Sequence, residues 1–99
     1  MKNLFPNKWK KWSSAVFKRD GRRCQFVDGN GKKCGKKKRL VPHHIRKKSD
    51  YPMLAFVVDN GITLCNEHHV YSVTGHEELY APVFMRIVKE NKGKSNGKN

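Results

Sequence analysis

The chain of 99 residues has room for one small domain, and only 36% of its residues are hydrophobic. Its odd number of cysteines, three, fits poorly with a disulfide framework, and no apolar leader indicates secretion. No apolar run approaches the roughly 20 residues that a membrane span requires. We therefore expect an intracellular protein without a membrane anchor, whose reduced cysteines are available to a metal ion.

The positive charge is concentrated in the first half of the chain. Residues 1–48 hold 17 basic and 2 acidic side chains, whereas residues 49–99 hold 5 basic and 6 acidic ones, and the formal net charge is +14. Such asymmetry indicates a surface that faces a polyanion. Because glycines and cysteines interrupt the basic run and it forms no amphipathic helix, nucleic acid is favoured over acidic lipid.

The first predicted element is a helix that runs to about Arg19, with Ser13 or Ser14 as an alternative start and Gly21 as its stop. We expect its apolar stripe to belong to the core, with base stacking by the tryptophans as the lesser alternative. The stripe comprises Phe5, Trp9, Trp12, Val16 and Phe17.

A turn-rich loop follows, bracketed by Cys24 and Cys34 and carrying the turn dipeptides Asp-Gly and Asn-Gly at 28–31. Residues 39–41 then predict a short strand, which leads into the sequence Pro-His-His-Ile at 42–45. This half of the chain is therefore expected to be loop-rich, with one strand at its end.

The second half is predicted to continue with an apolar stretch at 53–58 that packs beneath the site, and with a turn at 59–61. A second short strand is expected at 62–64, and a helix at 66–73 that stops near Gly75. We therefore predict the α+β class.

A last helix is predicted at 77–89, with Pro82 marking its first turn or a kink, and residues 90–99 are predicted to form a flexible basic tail. A single domain would thus span residues 1–89, with its core at about 13–89. The expected apolar side of this helix comprises Leu79, Tyr80, Val83, Phe84, Ile87 and Val88.

The three cysteines and one histidine suggest a structural zinc site. Cys65 and His68 are separated by two residues, which lets both ligands of a strand-to-helix turn reach one tetrahedral ion, and Cys24 and Cys34 would supply the other half. A small core gains folding energy from such an ion. The alternative is that these residues are merely small buried side chains.

A second set consists of His43, His44 and His69. Adjacent side chains on an extended segment point in opposite directions, so one histidine could bind a metal ion while the other faces water or substrate. Hydrolysis of a phosphodiester needs a base and a cation, and the pKa of histidine suits the base. The spacing alone does not assign which of His43 and His44 is the base.

Read together, these motifs resemble the HNH endonucleases. The similar segments are Val-Pro-His-His-Ile at 41–45, Asp-Asn-Gly-Ile-Thr-Leu-Cys at 59–65 and Asn-Glu-His-His at 66–69, preceded by Lys-Arg-Asp-Gly-Arg-Arg-Cys-Gln at 18–25. The segment 74–80, with its acidic pair, is similar to the small phage enzymes of this group. The resemblance covers about residues 13–89, and the order and spacing of the motifs are more specific than any one of them.

The resemblance implies a small ββα-metal (His-Me finger) core with flanking helices, stapled by a structural zinc ion. It also implies a DNA endonuclease in which His44 is the general base, and in which His43 and His69 bind the catalytic Mg²⁺ or Mn²⁺ ion. Asn60 would hold the loop between the strands. The basic residues expected to bind DNA phosphates are Arg39, Arg46, Lys47 and Lys48.

Two positions depart from the family pattern. His68 stands where the family usually has the second cysteine of the pair, which zinc accepts. Val73 stands where some members have a third histidine ligand, with His76 as a minor alternative. Small proteins of this family are often phage-encoded, which by association suggests the cytoplasm of a bacterial host cell and phage packaging proteins as partners.

Two other functions compete with the endonuclease. A non-catalytic zinc-stabilised module that binds nucleic acid would explain the charge and the cysteines, and a ribosome-associated basic protein would explain the charge. Neither gives a purpose to His43, His44, Asn60 and His69.

Overall fold

The first element of the protein is helix α1 (Pro6–Arg19). A computed structural model describes the backbone of residues 6–96 and the side chains of residues 6–94. Trp12 and Val16 lie one turn apart on α1 and are both buried, as the apolar stripe predicts. The predicted helix is therefore confirmed, and the alternative start at Ser13 or Ser14 is wrong.

Helix α1 ends at the predicted residue. Gly21 has a φ of 67°, and its N–H donates to the carbonyl of Lys18, while the N–H of Arg22 donates to the carbonyl of Phe17. This pair of bonds satisfies the last carbonyls of the helix and needs a residue that tolerates positive φ. Phe5, the first member of the predicted stripe, lies outside the described residues.

A two-stranded antiparallel sheet forms the centre of the fold. Strands β1 (Leu40–His44) and β2 (Gly61–Cys65) pair in register, with Leu40 opposite Cys65. β1 is longer than the predicted strand and includes both histidines. Its Pro42 cannot donate a hydrogen bond, and this is tolerated because β1 lies at a sheet edge.

Strand β2 is buried over its whole length, and α1 lies directly against its first residue. A Cβ atom added at Gly61 would lie 2.6 Å from a methyl group of Val16 and 2.7 Å from the ring of Trp12. Glycine is therefore required here by close packing of the helix on the strand.

The loop between the strands contains two short 3-10 turns, Pro52–Leu54 and Val58–Asn60. The prediction that residues 53–58 pack beneath the site is wrong for the side chains of Met53, 71% exposed, and Val57, 40% exposed, while the other four residues of the stretch are half-buried. The backbone carbonyl groups of this loop contact the site instead, as described below.

After β2 the chain forms a short helix, α2 (Asn66–His68), which continues directly as a π-helical segment (His69–Val73). The predicted helix at 66–73 is thus helical throughout but changes its winding at His69. The N–H and hydroxyl of Thr74 both donate to the carbonyl of His69, and Gly75, with a φ of 89°, ends the segment.

Helix α3 (Glu77–Asn96) closes the structure and is longer than predicted. Residues 90–96, which the sequence predicts as part of a flexible tail, are helical, and residues 97–99 lie outside the described part. Pro82 lies inside the helix, and Leu79 (71% exposed) and Val83 (45% exposed) do not belong to its buried face. That face consists of Ala81, Phe84, Ile87, Val88 and Asn91.

A buried polar network joins α1, β2 and α3. The carboxylate of Asp20, fully buried, accepts two hydrogen bonds of 2.9 Å from the guanidinium of Arg19. It also accepts one from the backbone N–H of Thr63 (2.8 Å) and one from the side chain of Asn91 (2.9 Å). The four bonds satisfy a charge that would otherwise be costly to bury.

The predicted α+β class is therefore confirmed. Within residues 6–96, no helix is both long enough and apolar enough to span a membrane. The apolar core is built from the sheet, α3 and the residues that follow each strand, and its largest members include Ile45, Ile62, Leu64, Val73 and Phe84.

Candidate metal centre and active site

The predicted cysteine and histidine ligands come together as one cluster. Cys24 and Cys34 lie on the two arms of a hairpin, in which Val27 and Lys33 pair and the N–H of Cys34 donates to Phe26. The other two members come from the end of β2 and the helix that follows it. The ligand atoms of Cys24, Cys34, Cys65 and His68 all lie within 4.8 Å of one another.

The spacing of these atoms suits a tetrahedral ion. Nδ1 of His68 lies 3.3 Å from Sγ of Cys65 and 3.7 Å from Sγ of Cys24. Around tetrahedral zinc, with bonds of about 2.0–2.3 Å, neighbouring ligand atoms lie roughly 3.5–3.8 Å apart. The cluster could therefore hold a metal ion such as zinc.

The surroundings of the cluster are apolar on one side and charged on the other. Phe26 stacks on the imidazole of His68, with centroids 4.1 Å apart and planes 13° apart. Burial raises the pKa of Cys24 to about 12, so an ion bound here would have to displace the thiol proton. At the surface, Lys36 and Glu67 form an ion pair of 2.6 Å between the hairpin and α2.

The two adjacent histidines of β1 lie on opposite sides of the strand, as predicted. The imidazole of His43 is buried, with its centroid 5.3 Å from that of His69 and 5.8 Å from Phe84. Burial, with a smaller contribution from His69, lowers the pKa of His43 to about 4. His43 is thus neutral near pH 7, the form in which imidazole binds metal ions.

The nitrogen Nε2 of His43 is buried and has no hydrogen-bond partner among the described residues. A buried polar atom without a partner is costly, and a cation would satisfy its lone pair. This nitrogen therefore fits a metal ligand, as the resemblance implies. Across the described part of the chain, however, no group of three ligand atoms other than the Cys3His cluster lies so close together.

His44 is held between a carbonyl group and an indole ring. Its Nε2 lies 2.9 Å from the carbonyl oxygen of Ala55, and its ring stacks on Trp12 at 4.3 Å with planes 12° apart. Since a carbonyl oxygen only accepts, Nε2 must carry the proton, and Nδ1 of neutral His44 keeps its lone pair. Burial lowers the pKa of His44, which favours this neutral form.

Trp12 is itself fixed, because its indole N–H donates to the carbonyl of Val57 at 2.9 Å. Trp9 tilts against both Trp12 and His44, and Nζ of Lys48 lies 5.9 Å from the Trp9 ring centroid. The apolar stripe of α1 predicts the tryptophans as core residues. The structure shows that they also form one wall beside His44.

Asn60 is buried and anchors the loop between the strands. Its Oδ1 accepts the N–H of Arg46 at 2.9 Å, and its Nδ2 donates to the carbonyls of Arg46 (3.1 Å) and Leu54 (3.3 Å). Asn60 makes no bond to His44. It holds the loop that presents the Ala55 carbonyl to His44, so its effect on the imidazole is indirect.

Both histidines of β1 and His69 line one open cleft of about 460 Å³. Lys47 and Lys48 line it as well. We refer to it as the histidine cleft. Its walls are formed by residues from β1, the following loop, the π-helical segment and the start of α3.

Two of the four predicted basic residues do not line the histidine cleft. Arg39 is exposed at the other end of β1, where its backbone has a φ of 53°, and Arg46 lines neighbouring depressions. His76 is exposed and does not line the cleft either.

Sequence reasoning missed Glu77 as a cleft residue. Its carboxylate, 20% exposed, lies 4.0 Å from Nζ of Lys47, and hydrogen bonds from backbone amides lower its pKa. In the sequence, Glu77 is one of two adjacent glutamates, and no motif distinguishes it from Glu78. Only its position two residues after Gly75, where the preceding helix stops, indicates that it lies near the site.

No model of a known protein family, no curated protein and no solved structure matches this chain.

Proposed function

We propose that the chain is a metal-dependent DNA endonuclease of the HNH type with a ββα-metal fold. The observation that carries the proposal is His44, whose Nε2 faces the Ala55 carbonyl and whose ring stacks on Trp12. This arrangement leaves Nδ1 as the proton acceptor and fixes the plane of the ring. A histidine so held, beside a cleft lined by two further histidines, suits the activation of water for attack on a phosphodiester.

The fit of His43 and His69 to a divalent ion rests on two observations: Nε2 of His43 has no hydrogen-bond partner among residues 6–94, and the two ring centroids lie 5.3 Å apart. A bound Mg²⁺ or Mn²⁺ ion would stabilise the negative charge that develops on the leaving oxygen. Two imidazoles leave the remaining coordination positions to water and the DNA phosphate. His69 neighbours His68 in sequence, so adjacent histidines would serve different ions.

The other cleft residues have binding and positioning roles in this proposal. Lys47 and Lys48 line the cleft and would hold phosphates on either side of the scissile bond. Asn60 supports the loop that orients His44. The structural ion would stabilise the end of β2 and α2, which lead directly into the π-helical segment that carries His69.

Incubation with supercoiled plasmid and Mg²⁺ or Mn²⁺ tests the proposal, with EDTA to remove the ion. We expect nicking or linearisation by the wild type and a loss of about 100-fold or more in His44→Ala. His76→Ala is the matched control, because His76 is exposed and lies outside the cleft. Absence of cleavage with either metal would contradict the proposal.

The compact Cys3His cluster also suits a second candidate, a zinc-stabilised module that binds nucleic acid without cutting it. The same assay separates the two functions. A module without activity would bind the plasmid and leave it supercoiled in every metal, and His44→Ala would bind as the wild type does.

A further inference from the structure

A second cleft, of about 420 Å³, lies between the end of α1, the cysteine hairpin and the last turns of α3. It shares no lining residue with the histidine cleft. The Gln25 backbone at its edge bonds to Thr63 of β2, on the side of β2 opposite β1. We call it the second basic cleft. Its four exposed cations are Lys18, Arg23, Lys33 and Lys94.

The second basic cleft has an excess of positive charge. The carboxylate that lines it, Asp20, is fully buried and bonded to the guanidinium of Arg19, so this pair contributes no net charge. Within residues 6–94, none of the four exposed cations forms an ion pair. Cations gathered on one concave surface repel each other, and an anion bound between them relieves that repulsion.

The floor of the second basic cleft contains the buried side chain of Gln25, whose hydrogen-bonding capacity is satisfied. Nε2 of Gln25 donates to the carbonyls of Asp20 (2.9 Å) and Arg23 (2.8 Å). Oε1 of Gln25 accepts Nζ of Lys33 (3.0 Å) and Nδ2 of Asn91 (2.9 Å). The buried amide of Gln25 thus positions the backbone of Arg23 and the ammonium group of Lys33. Because these groups are already positioned, binding an anion costs less entropy.

We propose that the second basic cleft binds phosphates of a nucleic-acid backbone, at a surface that shares no lining residue with the histidine cleft. Four exposed cations contributed by three separate elements carry more positive charge than a single small anion neutralises, which suits a polyanion. The inference rests on the proposed function only in taking nucleic acid as the partner. It adds that the protein holds DNA at two surfaces, one for cleavage and one for binding alone.

Fluorescence anisotropy with a labelled DNA duplex tests this at salt concentrations from about 0.05 to 0.2 M. The variant is Lys18→Gln with Arg23→Gln, two exposed positions whose side chains make no bond to the buried network. The control is Lys11→Gln with Arg86→Gln, which removes the same charge from exposed positions outside both clefts. Thermal unfolding verifies that both double variants remain folded.

We expect the magnitude of the negative slope of log affinity against log salt to decrease by about 1.8 in the cleft variant, or about 0.9 for each phosphate that is no longer neutralised. The control variant should keep the wild-type slope. Equal slopes in the two double variants would contradict the proposal that the second basic cleft binds phosphates.

Plasmid cleavage, measured in parallel, separates this inference from the endonuclease. If the cleft variant has a less steep salt dependence but the wild type never cuts plasmid, phosphate binding by the second basic cleft is supported and the nuclease function is contradicted. If the wild type cuts plasmid but the two double variants have equal salt dependence, the nuclease function is supported and phosphate binding by the second basic cleft is contradicted.

Discussion

The Cys3His cluster and the histidine cleft differ in how completely they enclose an ion. The cluster brings four ligand atoms within 4.8 Å of one another and buries Cys24 and Cys65. The histidine cleft is open and offers two imidazoles whose centroids are 5.3 Å apart. A closed four-ligand shell is typical of a structural ion, whereas an open one leaves positions for water and substrate.

The two regions meet at the junction of α2 with the π-helical segment. His68 turns towards the cysteines and His69 turns towards His43. The end of β2 therefore supports both sites, so a substitution that disrupts the cluster should also disrupt the histidine cleft. A substitution in the histidine cleft should leave the cluster intact, and this difference can be tested.

The largest effect is expected from Cys65→Ala. The substitution removes a buried ligand 3.3 Å from Nδ1 of His68, and structural zinc contributes on the order of 10 kcal/mol to folding in small domains. We expect the variant, like Cys24→Ala, to be unfolded or to melt far below the wild type by circular dichroism. His44→Ala, which leaves the cluster intact, is the control. Wild-type melting of Cys65→Ala would contradict a structural ion.

A smaller effect, which leaves the Cys3His cluster intact, is expected from Gly61→Ala. The new Cβ would lie 2.6 Å from Val16 and 2.7 Å from Trp12, so α1 must move away from β2. We expect a loss of about 1–3 kcal/mol in the free energy of unfolding, measured with urea, and reduced plasmid cleavage because Trp12 shifts against His44. Bound zinc should stay at the wild-type level. Gly93→Ala, where a Cβ meets no atom within 4 Å, is the control.

The smallest effect is expected from Trp12→Phe. Phenylalanine keeps an aromatic ring beside His44 but loses the hydrogen bond from the indole N–H to Val57. We expect a loss of about 1 kcal/mol in stability and a modest decrease in kcat. Trp12→Leu, which also removes the stacking, should decrease kcat further. Equal kcat values for the two variants would show that the stacking does not position His44.

The sequence was sufficient to predict the residues whose grouping depends on local geometry. Cys65 and His68 are two residues apart at a strand-to-helix turn, and His43 and His44 alternate along an extended segment. Gly21 ends its helix for a reason that is also local. These predictions needed no knowledge of distant contacts.

The contacts that the sequence did not reveal join residues far apart in the chain. Trp12 meets His44 only because α1 lies against β2, and Asp20 meets Asn91 only because α3 returns to the end of α1. The π-helical winding after His68 has no distinct periodicity over five residues. The apolar stretch 53–58 contributes the Ala55 carbonyl to the site, while the side chain of Met53 in the same stretch is exposed.

If the adjacent residues His68 and His69 serve different ions, their substitution should have different effects on the zinc content per chain. We predict that purified His69→Ala retains one zinc ion and wild-type melting while losing plasmid cleavage. We predict that His68→Ala loses its zinc and melts at a lower temperature. Equal zinc content in the two variants would contradict the division between the cluster and the histidine cleft.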